Sequence, residues 1–139
     1  MGLVYADIEI IRVADMVLAQ EGYLPEAKVR RINVKALVDS GAYMLCINES
    51  IRDQLDLRKL NTMDAEMADG RLEKVDVVGP VEVRFLNRRA TVDAVVLPGE
   101  VEVLLGAIPM EDLDVVINPK EQTLEVNPNA PYIAKKKIK

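Results

Sequence analysis

The sequence predicts a mainly β single domain, and three observations carry that prediction. Apolar residues recur at every second position through much of 3–11, 32–38 and 89–97, which is the period of a strand buried on one face. Turn-forming pairs, Asp69-Gly70, Gly79-Pro80 and Asn87-Arg88, punctuate the apolar runs. Hydrophobic residues make up 50% of the 139, with Val, Ile and Leu dominating, no Trp and a single Phe, so the core is expected to be aliphatic. The length fits one domain, since domains most often hold about 100–150 residues.

Taken in order, residues 3–11 form the first strand. Residues 14–29 leave the sheet: Asp15 is expected to cap a short helix reaching about Gln20, Gly22 to stop it, and Pro25-Glu26-Ala27 to begin another turn. From Arg30, Ile32, Val34, Ala36 and Val38 line one face and Asn33 and Lys35 the other, so Asp39 sits at a strand end, just before the break at Ser40-Gly41. A short apolar strand, 43–47, follows. Asn48 is a good N-cap for a helix through Leu55, in which Ile51 and Leu55 share one side. Segments 60–68 and 71–86 read as two strands joined at Asp69-Gly70, a pair that tolerates the positive φ of a tight turn. Gly79-Pro80 marks a bend in the second strand. The strand 89–97 comes next, then a short strand ending at Gly106, a helix near Pro109, and a hairpin from Val115 to Val126 around Asn118-Pro119-Lys120. The segment 128–139, with Lys135-Lys136-Lys137, reads as a flexible basic C-terminal tail, leaving 1–127 as the domain.

Arg30 to Val38 aligns without a gap on Arg88 to Val96, matching at two arginines, one alanine and two valines. The match has two readings: chance convergence of two amphipathic strands, or a domain built from two similar β halves.

Composition excludes several chemistries. Histidine is absent and there is one cysteine, which removes Ser-His and Cys-His catalysis, His-containing zinc sites and cysteine clusters. Carboxylates lead what remains. Cys46 lies in an apolar run and is expected to be a small buried hydrophobe. A net charge of -5, few aromatics and no basic face argue against a nucleic-acid partner. Charges at Asp7, Glu9, Arg12 and Asp15 interrupt any signal-peptide pattern, and no apolar run approaches the ~20 residues of a membrane helix, so no membrane partner and a cytoplasmic location are expected.

The chemistry centres on Asp39-Ser40-Gly41. Alone the tripeptide is an ordinary Asx turn. Its flanks, Ala36-Leu37-Val38 before and Ala42 to Ile47 after, place a carboxylate at the end of two apolar strands, where burial is costly unless compensated.

Here the sequence resembles the retropepsin-like aspartic proteases, looking closest to their small bacterial stand-alone members. Leu37-Val38-Asp39-Ser40-Gly41-Ala42 matches their active-site motif, and Leu104-Leu105-Gly106 before 107–113 matches their second motif in order and spacing. The likeness spans roughly residues 30–127. It implies a closed or partly open retropepsin-like β-barrel with one or two short helices, active as a symmetric homodimer in which each subunit supplies one Asp39. Two carboxylates that close share a proton, one serving as base and the other as acid. The resemblance implies an aspartic endopeptidase without metal or organic cofactor, acting on a peptide or protein substrate in extended conformation. Asp39, Ser40 and Gly41 would be catalytic, and Ala42, Met67, Ala68, Asp69, Gly70 and Gly106 substrate-binding, with 67–71 as the tip of a flap. The sequence departs from retroviral members at Tyr43, where they carry an acid, and at Ala107, where they carry an Arg, and its flap tip is charged rather than glycine-rich. Two other readings stand beside the enzyme. One is a non-catalytic peptide-binding or dimerisation module on the same fold. The other is a carboxylate metal site at Asp64, Glu66 and Asp69, against which their strand-like alternation speaks.

Overall fold

A computed structural model describes residues 2–136 and Ile138. Among the described residues, nine strands and three short α-helices follow one another. The first strand, β1 (Tyr5–Arg12), leads into α1 (Val13–Gln20), a 3₁₀ turn (Glu26–Lys28) and β2 (Arg31–Val38). Next come β3 (Leu45–Asn48), α2 (Glu49–Gln54), β4 (Lys59–Glu66), β5 (Leu72–Phe85) and β6 (Arg88–Leu97). The chain ends through β7 (Leu104–Leu105), α3 (Ala107–Leu113), β8 (Val115–Asn118) and β9 (Thr123–Val126).

Seven strands form one sheet in the order β1-β2-β7-β3-β6-β5-β4, and an additional β1–β5 pairing closes it into a ring from which β4 projects. The length of β5 makes both possible. Its second half, from Val81, pairs with β1 and β6, while its first half pairs with β4 and β6. The two halves are offset by a register shift between Val78 and Val81, where Gly79 takes φ +136° before Pro80. Only glycine adopts that φ without strain.

The pairing has an internal twofold pattern. β1 runs antiparallel to β2, and β7 lies parallel to β2; β5 runs antiparallel to β6, and β3 lies parallel to β6. β3 and β7 pair with each other antiparallel, and each leads into a helix. The two segments that align in sequence, 30–38 and 88–96, therefore occupy equivalent places in two similar halves.

The ring encloses an aliphatic core. Ile10, Ala36, Leu45, Ile47, Val81, Val83, Ala94, Leu105 and Leu113 are fully buried, at 0% exposure. Burying the Ile, Leu and Val side chains among them contributes about 1.5–3 kcal/mol each. Asn48 caps α2 as its side chain accepts from the Ile51 N–H at 2.9 Å, which turns Ile51 and Leu55 into the core. The β4–β5 hairpin closes through Gly70 at φ +86°.

Asp15 does not cap α1. The cap position is Arg12, and Asp15 lies inside the first turn, 1% exposed. Its carboxylate accepts from Arg12 Nη1 at 2.5 Å and from the Arg30 backbone N–H at 2.9 Å, with Arg30 Nη1 at 3.2 Å. A buried carboxylate needs such partners, and here they pin the 13–30 excursion to β1.

Residues 127–136 lie against the end of α3 and the β5–β6 turn. Arg88, whose side chain is fully buried, donates to the Ala130 carbonyl, and Asn87 Nδ2 donates to the Pro131 carbonyl at 2.8 Å. Asp114 accepts from the Lys135 N–H at 2.7 Å and from Asn127 Nδ2 at 3.0 Å. Lys137 and Lys139 lie outside the described residues. Among the described residues, no helix is long and apolar enough to cross a membrane.

Candidate active site

The loop 39–44 leaves the end of β2 and enters β3, and backbone bonds fix its shape from both sides. Asp39 N–H donates to the Leu105 carbonyl at 3.0 Å, extending the parallel β2–β7 ladder to the residue that carries the carboxylate. Ala42 N–H returns to the Asp39 carbonyl at 3.1 Å, closing the turn. The Asp39 Oδ1 accepts from the Gly41 N–H at 2.9 Å. This is the Asx turn the tripeptide favours, and it orients the carboxylate without a cation. Asp39 is half-buried; Ser40 and Gly41 are exposed.

The start of α3 holds the far side of the loop. Ala107 and Ile108 donate their backbone N–H groups to the carbonyls of Ala42 and Tyr43, both at 2.8 Å. Gly106 makes this approach possible. A Cβ there would lie 2.3 Å from the Met44 oxygen and 2.8 Å from that of Ala42. Real carbon–oxygen contacts do not come so close. The glycine of the second motif thus serves the loop's backbone.

A cleft of about 640 Å³ opens between this loop and the β4–β5 hairpin. Asp39, Gly41 and Ala42 line one wall, and Met63, Ala65, Met67 and Ala68 the other. The cleft thus brings together five of the nine residues expected to be catalytic or substrate-binding, and neither Ser40 nor Gly106 lines it. Asp69 and Gly70 lie farther out at the hairpin tip, where Asp69 binds Arg71 through Nε at 2.8 Å and the backbone N–H at 3.0 Å. The Arg71 N–H and side chain together hold the exposed Asp69 carboxyl below the usual carboxylate range.

Several cleft residues escaped the sequence reading. Met44, Met63, Val95, Leu97 and Leu104 supply apolar wall, drawn from four strands or loops far apart in sequence. Cys46 is a correction: it is only partly buried and faces the cleft. The signal was available, because Leu45 and Ile47 on either side are fully buried, and a strand alternates faces. Burial pushes the Cys46 thiol up to about 11, and the nearby Asp39 carboxylate adds to the shift. The charged groups lining the cleft, Asp39, Asp64 and Glu66, are all acids, with Lys74 Nζ 3.2 Å from Asp64.

Residues 26–112 match the sequence model of the family described as "gag-polyprotein putative aspartyl protease", a span that includes both motifs. No curated protein matches the chain in sequence. Among solved structures, the fold is similar to the retroviral protease-like domain of Ddi1 from Leishmania major, with 14% identity, a TM-score of 0.55, and 92% of this chain and 90% of that one covered. It is also similar to EIAV protease complexed with the inhibitor HBY-793, with 16% identity, a TM-score of 0.55, and 81% and 88% covered. The fold is therefore retropepsin-like, and with more than half of its length matched, the chain belongs to the gag-polyprotein aspartyl protease family.

Proposed function

We propose that this protein is an aspartic endopeptidase whose active site forms between two copies of the chain, each contributing Asp39. The observation that carries the reading is the presentation of Asp39: a half-buried carboxylate at a strand end, oriented by the Gly41 N–H, at the wall of a peptide-sized cleft. A chain with one Asp-Ser-Gly holds half of a two-carboxylate site, and a twofold axis beside Asp39 supplies the other half.

In the assembled site the two carboxylates share one proton. The ionised Asp39 takes a proton from a water molecule lying between them. That water attacks the peptide carbonyl, while the protonated Asp39 hydrogen-bonds the carbonyl oxygen and stabilises the charge that develops there; the C–N bond then breaks as the leaving nitrogen takes the proton that the first Asp39 drew from the water. Each positioned proton transfer contributes about 10²–10⁴ in rate. The Ser40 hydroxyl bonds to the partner's loop across the axis. Gly41, exposed and without a side chain, lets the substrate backbone approach the carboxylates closely. Substrate lies extended in the cleft, its side chains against the apolar walls. The β4–β5 hairpin covers it, with Met67 and Ala68 on the inner side and Asp69 and Gly70 at the tip. Gly106 holds the floor of the site by letting α3 close on the loop. The reading uses no metal or cofactor and places the protein in the cytoplasm.

Cleavage of a diverse peptide library between about pH 4 and 7 tests the reading. Wild type is expected to cleave and Asp39→Asn to be inactive. A folded, dimeric wild type that binds peptides and cleaves none would establish the peptide-binding module instead.

A further inference from the structure

We propose that residues 127–136 act as a strap that positions the Asp39 loop from behind: looped onto the Asp114 carboxylate and seated on Arg88, they fix the far end of α3, whose near end holds that loop. The inference adds a positioning element remote from the cleft, and its effect on cleavage rests on the protease reading above.

The strap forms neither helix nor strand, and its large apolar side chains do not hold it: Tyr132 and Ile133 are 88% and 77% exposed. Directional polar contacts to two places hold it instead. One is the end of α3. Asp114 Oδ1 accepts from Asn127 Nδ2 at 3.0 Å and Oδ2 from the Lys135 N–H at 2.7 Å, so both ends of the strap close on a single carboxylate. The Lys135 N–H and the Asn127 amide together hold that carboxyl below the usual carboxylate range. Lys136 Nζ adds an ion pair to Asp112, in the last turn of α3, at 2.9 Å. The other place is the β5–β6 turn, where Asn87 and Arg88 donate to the Pro131 and Ala130 carbonyls. The Arg88 side chain is wholly buried, its Nη2 stands 3.9 Å from Asp114 Oδ2, and its Nε and Nη1 have no acceptor among the described residues. A buried cation with so few acceptors is costly, and the carbonyl it does reach belongs to the strap.

Helix α3 carries this anchorage to the site. With seven residues it is about 10 Å long and too short to be stable alone. Met110 and Leu113 turn one face into the core, but apolar packing is non-directional, and the bonds at the two ends fix where the helix sits along its axis. At the near end the Ala107 and Ile108 N–H groups donate to the Ala42 and Tyr43 carbonyls of the loop that carries Asp39, both at 2.8 Å. At the far end the strap grips Asp112 and Asp114. Displacing α3 at its far end therefore displaces the Asp39 loop, and an error of 1 Å at a reacting group costs about 10² in rate. No strap residue lines the cleft, so the effect falls on turnover rather than on peptide binding.

Asp114→Gly in the full chain is the test. Asp114 takes φ +56°, which glycine adopts without strain, so the end of α3 keeps its shape while the carboxylate is lost. Hydrogen exchange of the Ala107 and Ile108 amides, followed by NMR, is expected to quicken about tenfold or more relative to the amides of β5. The kcat is expected to fall about tenfold, with KM within about twofold of wild type. Arg88→Met keeps a side chain of similar length without the charge and is expected to give the same two results with the fold retained by circular dichroism. Asp114→Asn tolerates the same φ and keeps an acceptor for the Lys135 N–H, so both readouts are expected to stay near wild type. Exchange at Ala107 and Ile108 that keeps its wild-type rate in either Asp114→Gly or Arg88→Met, or quickens only in step with β5, would overturn the strap, and so would an unchanged kcat in Asp114→Gly. If wild type cleaves no peptide, the protease reading falls, and the exchange measurement decides the strap by itself.

Discussion

Replacing Gly106 by Ala adds one methyl group at the closest backbone approach around the site. The local conformation, φ -87° and ψ -174°, suits any residue, so the whole cost is steric. The new Cβ would lie 2.3 Å from the Met44 oxygen, against an ordinary contact of at least 3.4 Å, and it also meets Ala42 and Tyr43 backbone atoms at 2.8 Å. Backbone cannot rotate out of the way as a side chain would, so the loop and α3 must separate by about 1 Å. That separation weakens the bonds from Ala107 and Ile108 to the loop, worth about 0.5–1.5 kcal/mol each. Overpacking adds about 1–3 kcal/mol. The sum is about 2–6 kcal/mol, which for a domain of this size lowers the melting temperature by roughly 8–24 °C. Thermal unfolding followed by circular dichroism reads this directly. Activity is expected to fall by a further factor of about 10², the usual consequence of misplacing a reacting group by 1 Å. A Gly106→Ala protein that melts within a degree or two of wild type and remains fully active would refute this account of how the loop is held.

Other perturbations probe the remaining parts. Asp15→Ala leaves Arg12 buried without its partner and is expected to cost about 3–5 kcal/mol in chemical denaturation, whereas a mere helix cap would cost about 1 kcal/mol. Burial raises the Asp15 pKa, but the Arg30 N–H and the Arg12 and Arg30 guanidinium groups outweigh it and hold the carboxyl below its ordinary 3.8. A lowered folded-state pKa means stability that is present above 3.8 and lost as pH falls through the folded value, so acid unfolding should be less steep in Asp15→Asn. Cys46, held near 11, is almost wholly protonated at neutral pH, and its alkylation by iodoacetamide at about pH 8 should be about two orders of magnitude slower than that of a free thiol. Alkylation at the rate of a free thiol would refute the burial described for this side chain. Asn48→Ala removes the α2 cap and should cost about 1 kcal/mol without affecting peptide binding, which denaturation and a binding titration would separate.

Local chemistry was legible in the sequence, and long-range pairing was not. The Asp39 turn, the Asn48 cap, the Asp69-Gly70 hairpin and the bend at Gly79 all depend on residues within a few positions of one another, and each stands where its residues predict. Asp15 misled because its partners lie three and fifteen positions away, and Arg30 reaches it only after β2 has paired with β1. The closure of the sheet through β5 and β1 has no local signature, since a long strand reads the same whether it has two neighbours or three. The cleft suffered likewise. Ala42, Met67 and Ala68 were found through the motif and the hairpin, whereas Val95, Leu97 and Leu104 reach the cleft only because β6 and β7 flank β3. Gly106 was identified as a position that matters, but its close approach to the backbone of the 42–44 loop is visible only in the packing.

The central claim is that one active site needs an Asp39 from each of two subunits, and mixing subunits tests it most directly. Wild type and Asp39→Asn are unfolded together in varied proportions, refolded at a fixed total concentration high enough for dimers, and assayed on a peptide that wild type cleaves. If the site is shared, only dimers of two wild-type chains are active, so activity follows the square of the wild-type fraction and an equal mixture retains about a quarter of the full rate. Activity proportional to the wild-type fraction, with about half the rate in an equal mixture, would mean that each chain acts alone and would contradict the account.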